Sequence, residues 1–296
     1  GPVPSTSRRR SRITSAVAGA GSSGARSSIA RAAHTSSTAR MRRTLSTTVR
    51  CLRAACHAIE TWACCLPGVG RVSSDAGAAR DTLDHVRLVA ERELASAIDN
   101  PMILPDGRVE SCGNFHGAPL GFAADFLAIA LAEIGAIAER RIDRLLDKTR
   151  NHGLPPFLAG EVGVDSGLMI GHYTAAAMAA ENKRLAVPAS VDSLPTSGMQ
   201  EDHVSMGWGA VRKLRMVIDN VRRILAIEYL VAARSIDLRR PLPPAAATGA
   251  LLELLRSQVD GPGPDRYLSP ELQLGERLLA TDALARALEA HGITLG

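Results

Sequence analysis

From Leu120 to Leu131 the chain reads LGFAADFLAIAL, a segment apolar on nearly every side once wound into a helix. A helix without a polar face has no side to give to water, so it must be sheathed by other helices or by another copy of the chain. It forms the first half of a predicted helix from Gly117 to about Asp147. The second half, with Glu139, Arg140, Arg141, Asp143 and Arg144, either emerges into water or meets other charged elements. The sheath should be helical too. Aromatic residues make up only 3% of the chain, alanine and leucine are abundant, and β-branched runs are few. The 296 residues suffice for a sizeable core, as one large or two ordinary domains.

Helical periodicity recurs on both sides of this segment. From Gly77, Ala79, Leu83, Val86, Ala90, Leu94 and Ala97 share one face while Arg80, Asp81, Asp84, Arg87 and Glu91 take the other. Asp99-Asn100-Pro101 ends that helix, because proline disfavours helical geometry in the residue before it. Met102–Leu104 and Arg108–Glu110 flank Pro105-Asp106-Gly107, which predicts a small β-hairpin. Beyond a Pro/Gly-interrupted loop at 151–164, helices are expected at about 166–186 and 200–233. The latter carries Val204, Trp208, Val211, Leu214, Ile218, Val221, Leu225 and Leu230 on its buried stripe. Pro241–Pro244 stops it, and two shorter helices follow at about 246–258 and 270–291. The fold class is therefore all-α, a bundle of long antiparallel helices with one small β-hairpin.

Residues 1–76 differ from the rest, being rich in Ser, Thr, Arg, Ala and Gly and without a sustained period. They read as an irregular or disordered N-terminal segment, with a short helix at 50–66, ahead of a helical domain at 77–296. Their Ser-rich, acid-poor character also fits a transit peptide. The net charge of +5 resides there: residues 1–80 hold thirteen Lys/Arg against two Asp/Glu, leaving 22 against 28 of the 35 and 30 for the remainder. With only three lysines (Lys148, Lys183, Lys213), the basicity reflects arginine-biased coding more than phosphate binding, and no nucleic-acid partner is expected. Cys51, Cys56, Cys64 and Cys65, even with His57, do not close a metal site. Gly19-Ala20-Gly21 lacks the strand and third glycine of a phosphate loop. No charge-free run of about 18 apolar residues and no apolar leader occur, so the expectation is a cytoplasmic protein with no membrane partner.

Two polar stretches stand out. Thr196–Met206, TSGMQEDHVSM, places an amide, two carboxylates, an imidazole and three hydroxyls ahead of a long helix. Gly113-Asn114-Phe115-His116 precedes the apolar one. At a helix start, Glu201 and Asp202 would favour the exposed amides and the dipole. Consecutive helical residues point about 100° apart, so only one carboxylate should face inward. A partly buried Glu201 would have a raised pKa, suiting a proton acceptor or a clamp for a substrate ammonium. His203 reads as a hydrogen-bonding structural residue more than as a base. Asn114 and His116 admit a loop-and-cap account; functionally, Phe115 forms an apolar wall while Asn114 holds a carboxylate or a backbone group.

SAIDNP (Ser96–Pro101), GNFHG (Gly113–Gly117), GEVGVDSGLMI (Gly160–Ile170), AAENKRLAVPASVDSLPTS (Ala179–Ser197) and MQEDHVSM (Met199–Met206) closely resemble the C-terminal half of the histidine ammonia-lyases, a branch of the aromatic amino-acid lyase family. The resemblance runs from near Gly77 to about Arg240 and continues more weakly beyond. It implies a homotetramer of long helices that eliminates ammonia from histidine to give urocanate. It also implies a pocket in which Phe115 lies near the electrophile and Gln200 and Glu201 hold or deprotonate the substrate, with Glu201 the catalytic candidate.

The family's electrophile, methylidene-imidazolone, forms from an internal Ala-Ser-Gly. That tripeptide is absent here; Ser22-Ser23-Gly24 lacks the Asp-Leu-Ala-Pro that follows it in the family. A Tyr-Ser-Leu-Arg segment should precede Gly77, where the chain reads Arg71-Val72-Ser73-Ser74-Asp75-Ala76, and a pocket tyrosine from the family's N-terminal part has no counterpart. No cofactor is therefore supportable in this chain, which is expected to be inactive alone. Ser5-Thr6-Ser7-Arg8-Arg9 can be encoded so that a shifted frame spells Asp-Leu-Ala-Pro, which would make residues before Gly77 an out-of-frame reading. The alternative is a non-catalytic helical assembly protein that keeps the lyase oligomer surface.

Overall fold

The structure, a computed structural model, describes residues 72–293. The expectations for the N-terminal segment, its short helix and its cysteines lie outside them, save that residues 72–76 form the first turns of helix α1 (Val72–Ala95). That helix starts five residues before the expected border and buries Ala76, Ala79, Leu83 and Val86. It ends at Ala95, ahead of Pro101, where the Ser96 hydroxyl donates to the Arg92 carbonyl (2.8 Å) and so takes over an end carbonyl.

The hairpin is present as β1 (Met102–Ile103) and β2 (Val109–Glu110), antiparallel with Met102 opposite Glu110. Gly107 turns it at φ 84°, and Asp106 steadies the turn by accepting from the Arg108 amide (3.1 Å) and guanidinium (2.7 Å). At its base the Asn100 side-chain oxygen accepts from the Cys112 amide (3.1 Å).

Helix α2 (Ala118–Leu146) is the apolar helix, and its inner stripe of Leu127, Ala128, Leu131, Ile134, Ala138 and Ile142 is buried. Its sheath is incomplete in the single chain: Phe122, Phe126 and Ile129 remain 59%, 48% and 49% exposed. By length and composition it is the one helix among the described residues apolar enough to cross a membrane. It nevertheless carries Asp125 and Glu133, and half of the apolar window is buried. In its second half Glu139 and Arg141 are buried and meet other charged groups, while Arg140 reaches water.

Helices α3 (Met169–Leu185) and α4 (Gly207–Asp237) complete the centre, α4 lying against both α2 and α3. Close approach is possible because position 135 is glycine: a Cβ there would sit 3.3 Å from both the Asn182 amide nitrogen and a Val221 methyl. Beside that contact Asn220 donates to Asn182 (3.0 Å) and Glu181 (2.9 Å). From Ile224 to Ser235 every residue of α4 is buried, including Glu228 and Arg234. The Glu228 carboxylate receives two bonds from the Arg141 guanidinium, the neutralisation that makes a charge in such a place tolerable.

Two expectations for α4 are corrected. It begins at Gly207 instead of Gln200, and Trp208 and Val211 face outward at 77% and 41% exposure. Val221, Leu225 and Leu230 are buried as expected, and towards the start of the helix the buried positions are Ala210 and Val217. After Pro241–Pro244 come α5 (Ala246–Arg256), α6 (Ser269–Leu279) and α7 (Ala283–Ala290). The helix expected over 270–291 is split at Thr281, whose hydroxyl donates to the Leu278 carbonyl (3.2 Å) and accepts from the Ala283 amide (3.4 Å). The fold class is all-α, as expected.

Candidate functional site

The two polar stretches meet. Asn114–His116 form one 3-10 turn, and Gly117 at φ 72° redirects the chain into α2. The His116 Nε2 lies 3.0 Å from the His203 carbonyl oxygen, and the two imidazoles stack with centroids 5.5 Å apart and planes inclined by 12°. The Ser205 hydroxyl returns a bond to the His116 carbonyl (2.5 Å). One step along, a Cβ on Gly121 would stand 3.1 Å from the Gly207 Cα, so the first turns of α2 and α4 touch through glycines. Phe115 immediately precedes His116, and Glu201 lies two residues before His203. Both residues thus belong to the segments that this junction joins.

Thr196–Met206 is not a helix start. Ser197, Gly198 and Met199 have φ of 54°, 64° and 73°, a left-handed run that is no part of a right-handed helix, and α4 begins only at Gly207. The Thr196 amide donates to the Glu201 carbonyl (2.9 Å) and the Glu201 amide to the Thr196 carbonyl (3.3 Å), closing a small antiparallel loop. Gln200 sits next to Glu201 at the closing edge of that loop. Glu201 is held through its backbone while its side chain is exposed, so the partial burial expected for it is absent from the single chain.

Ser193 fastens the other end, its hydroxyl accepting from the Val204 amide and donating to the Val204 carbonyl, both at 3.0 Å. Beneath it lies Asp125 of α2, buried, accepting from the Ser190 amide (2.7 Å) and facing the Lys213 ammonium of α4 (3.2 Å). Burial pushes the Asp125 carboxyl up, but the hydrogen bonds from Ser190 and the Lys213 charge outweigh it and hold the group below its usual range. The Lys213 ammonium also donates to the Val187 carbonyl. One partly buried ion pair thus pins the link 187–195 between α2 and α4.

Phe115 is 48% exposed, a wall open on one side. Of the two roles open to Asn114, the structure shows the backbone one: its amide donates to the Ala97 carbonyl at 3.2 Å. Gln200 and Glu201 stand together at the loop edge, and His203 acts through its carbonyl and ring face. Ser193, Ser205, Asp125 and Lys213 were not singled out in the sequence. Their spacing carries no periodic signal, and only the paired occurrence of ASVDS and EDHVS ahead of a helix hinted that the two segments answer each other. Among the described residues no cluster of three or more His, Cys, Asp or Glu side chains could hold a metal ion. The described residues also supply no Ala-Ser-Gly, so they do not fit the family's electrophile.

The architecture is that of the helical ammonia-lyases and aminomutases. It matches the crystal structure of histidine ammonia-lyase from Trypanosoma cruzi with a TM-score of 0.77 at 34% identity, over 84% of this chain and 56% of that one. It also matches tyrosine aminomutase from Streptomyces globisporus with a TM-score of 0.72 at 38% identity, over 76% and 43%. The sequence profile of aromatic amino acid lyases covers residues 72–257, and the chain belongs to that family. It is 64% identical over 215 residues to histidine ammonia-lyase of Streptomyces avermitilis, covering 72% of this chain and 42% of the relative. With the Burkholderia cenocepacia histidine ammonia-lyase it shares 51% over 211 residues, 71% of this chain and 41% of that one. The chain thus spans about two fifths of the length of the curated relatives it matches.

Proposed function

We propose that this chain is the substrate-wall portion of a cytoplasmic histidine ammonia-lyase, acting on L-histidine within a homo-oligomer, a tetramer by family. The observation that carries the reading is the joining of GNFHG to QEDHVSM through His116, His203 and Ser205. It supports a reading in which the segment bearing Phe115 and the segment bearing Glu201 serve one site. The 64% identity to a histidine ammonia-lyase favours that substrate over the tyrosine of the aminomutase.

An amino acid offers an ammonium, which an exposed carboxylate attracts, and a carboxylate and side chain, which an amide and an apolar face can orient. Glu201 supplies the first, Gln200 and Phe115 the second, and Asn114 holds the Phe115 turn to the end of α1. The β-proton of histidine is only weakly acidic, so its removal requires a base coupled to an electron sink. Glu201 fits the base; no described residue fits the sink, and no elimination step is assigned to the chain alone. The test is to supply L-histidine and follow the ultraviolet absorbance of urocanate, with and without a chain carrying the Ala-Ser-Gly half of a relative. Product only with both chains supports the reading. No product and no histidine binding under either condition would sink it.

The second reading, a non-catalytic helical assembly protein, is favoured by the exposed Phe122, Phe126 and Ile129, spaced four and three residues apart on α2. It predicts oligomers in sedimentation that take up no L-histidine.

A further inference from the structure

We infer that His116 is a positioning residue, whose ring sets the height of the Gln200–Glu201 loop edge against the Phe115 wall. This rests on the reading of the junction as a substrate wall. Three observations converge on one residue. The His116 Nε2 faces the His203 carbonyl at 3.0 Å; because a carbonyl only accepts, that nitrogen carries the hydrogen. Its ring lies flat against the His203 ring. Its own carbonyl is occupied by the Ser205 hydroxyl.

The loop needs such a tie. Ser197 and Met199 are held at positive φ without being glycine, a conformation that persists only when surrounding contacts enforce it. From Gln200 to His203 the side chains are exposed, so apart from the His203 ring against His116 packing does not enforce it. What holds the loop is the Thr196–Glu201 bridge at one end and the Ser193–Val204 bonds at the other. His116 is the tie to the turn that carries Phe115. Protonation of His116 leaves its Nε2 donor in place, so the tie survives in either charge state.

In the full chain, His116→Ala should speed amide hydrogen exchange at Glu201 and Val204 by about tenfold, the loss of one hydrogen bond, while exchange within α2 and α4 stays unchanged. His116→Gln, whose amide can donate to the same carbonyl, should restore the rate, and His203→Ala, which keeps the carbonyl, should leave it near that of the unaltered chain. L-histidine affinity should follow the same order. Unaltered exchange in His116→Ala would overturn the proposal, as would an equal rise throughout α2 and α4. Should that variant fail to fold, the unaltered chain decides the matter: nitrogen resonances showing His116 protonated at Nε2 at neutral pH support the tie, and protonation at Nδ1 alone overturns it. If exchange responds as stated but the unaltered chain binds no L-histidine, the positioning stands and only the substrate reading fails.

Discussion

Asp165 and Asp265 hold each other's loops. The Asp265 amide donates to the Asp165 carboxylate (3.1 Å), and the Asp265 carboxylate accepts from the amides of Ser166 (2.7 Å) and Gly167 (2.9 Å). Asp165 also takes the Glu161 amide (2.8 Å), and these backbone bonds hold its carboxyl below the usual range. The GEVGVDSGLMI motif is thereby explained as a clasp that sets the start of α3 against the link before α6, some distance in sequence from any chemistry.

Gly167 tests the clasp. It has φ 61°, and a Cβ there would lie 2.5 Å from the Phe157 carbonyl oxygen, a backbone atom that cannot swing aside. Gly167→Ala should cost roughly 2–4 kcal/mol from strain and displacement together. Asp265→Ala, whose lost bonds are exposed to water, should cost about 1 kcal/mol. Urea midpoints of the two variants check the order, and a Gly167→Ala protein as stable as the parent would contradict the geometry.

A second test concerns the charge inside the bundle. Arg141 and Glu228 are both buried and bonded to each other through two atoms apiece. Truncating either alone leaves an unpaired buried charge, so Glu228→Ala or Arg141→Ala should each destabilise by about 3–5 kcal/mol. Arg141→Met combined with Glu228→Leu should recover most of that loss, because apolar residues of similar volume need no solvation. A double variant no more stable than the singles would mean that the pair does more than neutralise itself.

These two relationships also show what periodicity could and could not reveal. The 3.6-residue pattern located α1, α2 and α3 to within a few residues, because each has a continuous inner stripe. It misplaced the start of α4 by seven residues, from Gln200 to Gly207, since QEDH satisfies the composition of a helix N-terminus while Ser197, Gly198 and Met199 choose the left-handed region. It likewise put Trp208 inside, although the same stripe holds further along at Val221, Leu225 and Leu230, because only the first turns were extrapolated from a wrong start. Phe115, Gln200 and Glu201 were legible as types and positions. The joining of their two segments was not, for it depends on His116 reaching a residue 87 positions away.

Acid stability provides a third check. The Asp147 carboxylate accepts the Thr149 amide (2.9 Å) and hydroxyl (2.7 Å) and pairs with Arg150 (2.6 Å). Those bonds hold its pKa at about 2 against an ordinary 3.8. A depressed folded-state pKa means that the unfolded chain binds the proton more readily, so this contribution is complete above pH 3.8 and is lost as pH falls toward 2. Asp147→Asn should therefore flatten the stability profile between those limits. If the variant and the parent lose stability in parallel there, Asp147 is not the group responsible.

Glu201 decides whether the junction is a site at all. Its backbone closes the loop through Thr196, its side chain is exposed, and replacement therefore removes a charge without removing a structural contact. Glu201→Gln should leave the unfolding midpoint within about 0.5 kcal/mol of the parent. If the carboxylate faces a substrate ammonium, the same change should weaken L-histidine binding roughly tenfold, the loss expected for one charge-assisted bond. Gln200→Ala should weaken it less, since a neutral amide makes the weaker contact. Asp202→Asn, one residue further along the same exposed loop, serves as the control and should change neither quantity. Calorimetric titration of the four proteins distinguishes a carboxylate aimed at the wall from a merely solvated one, because only the former separates Glu201 from Asp202.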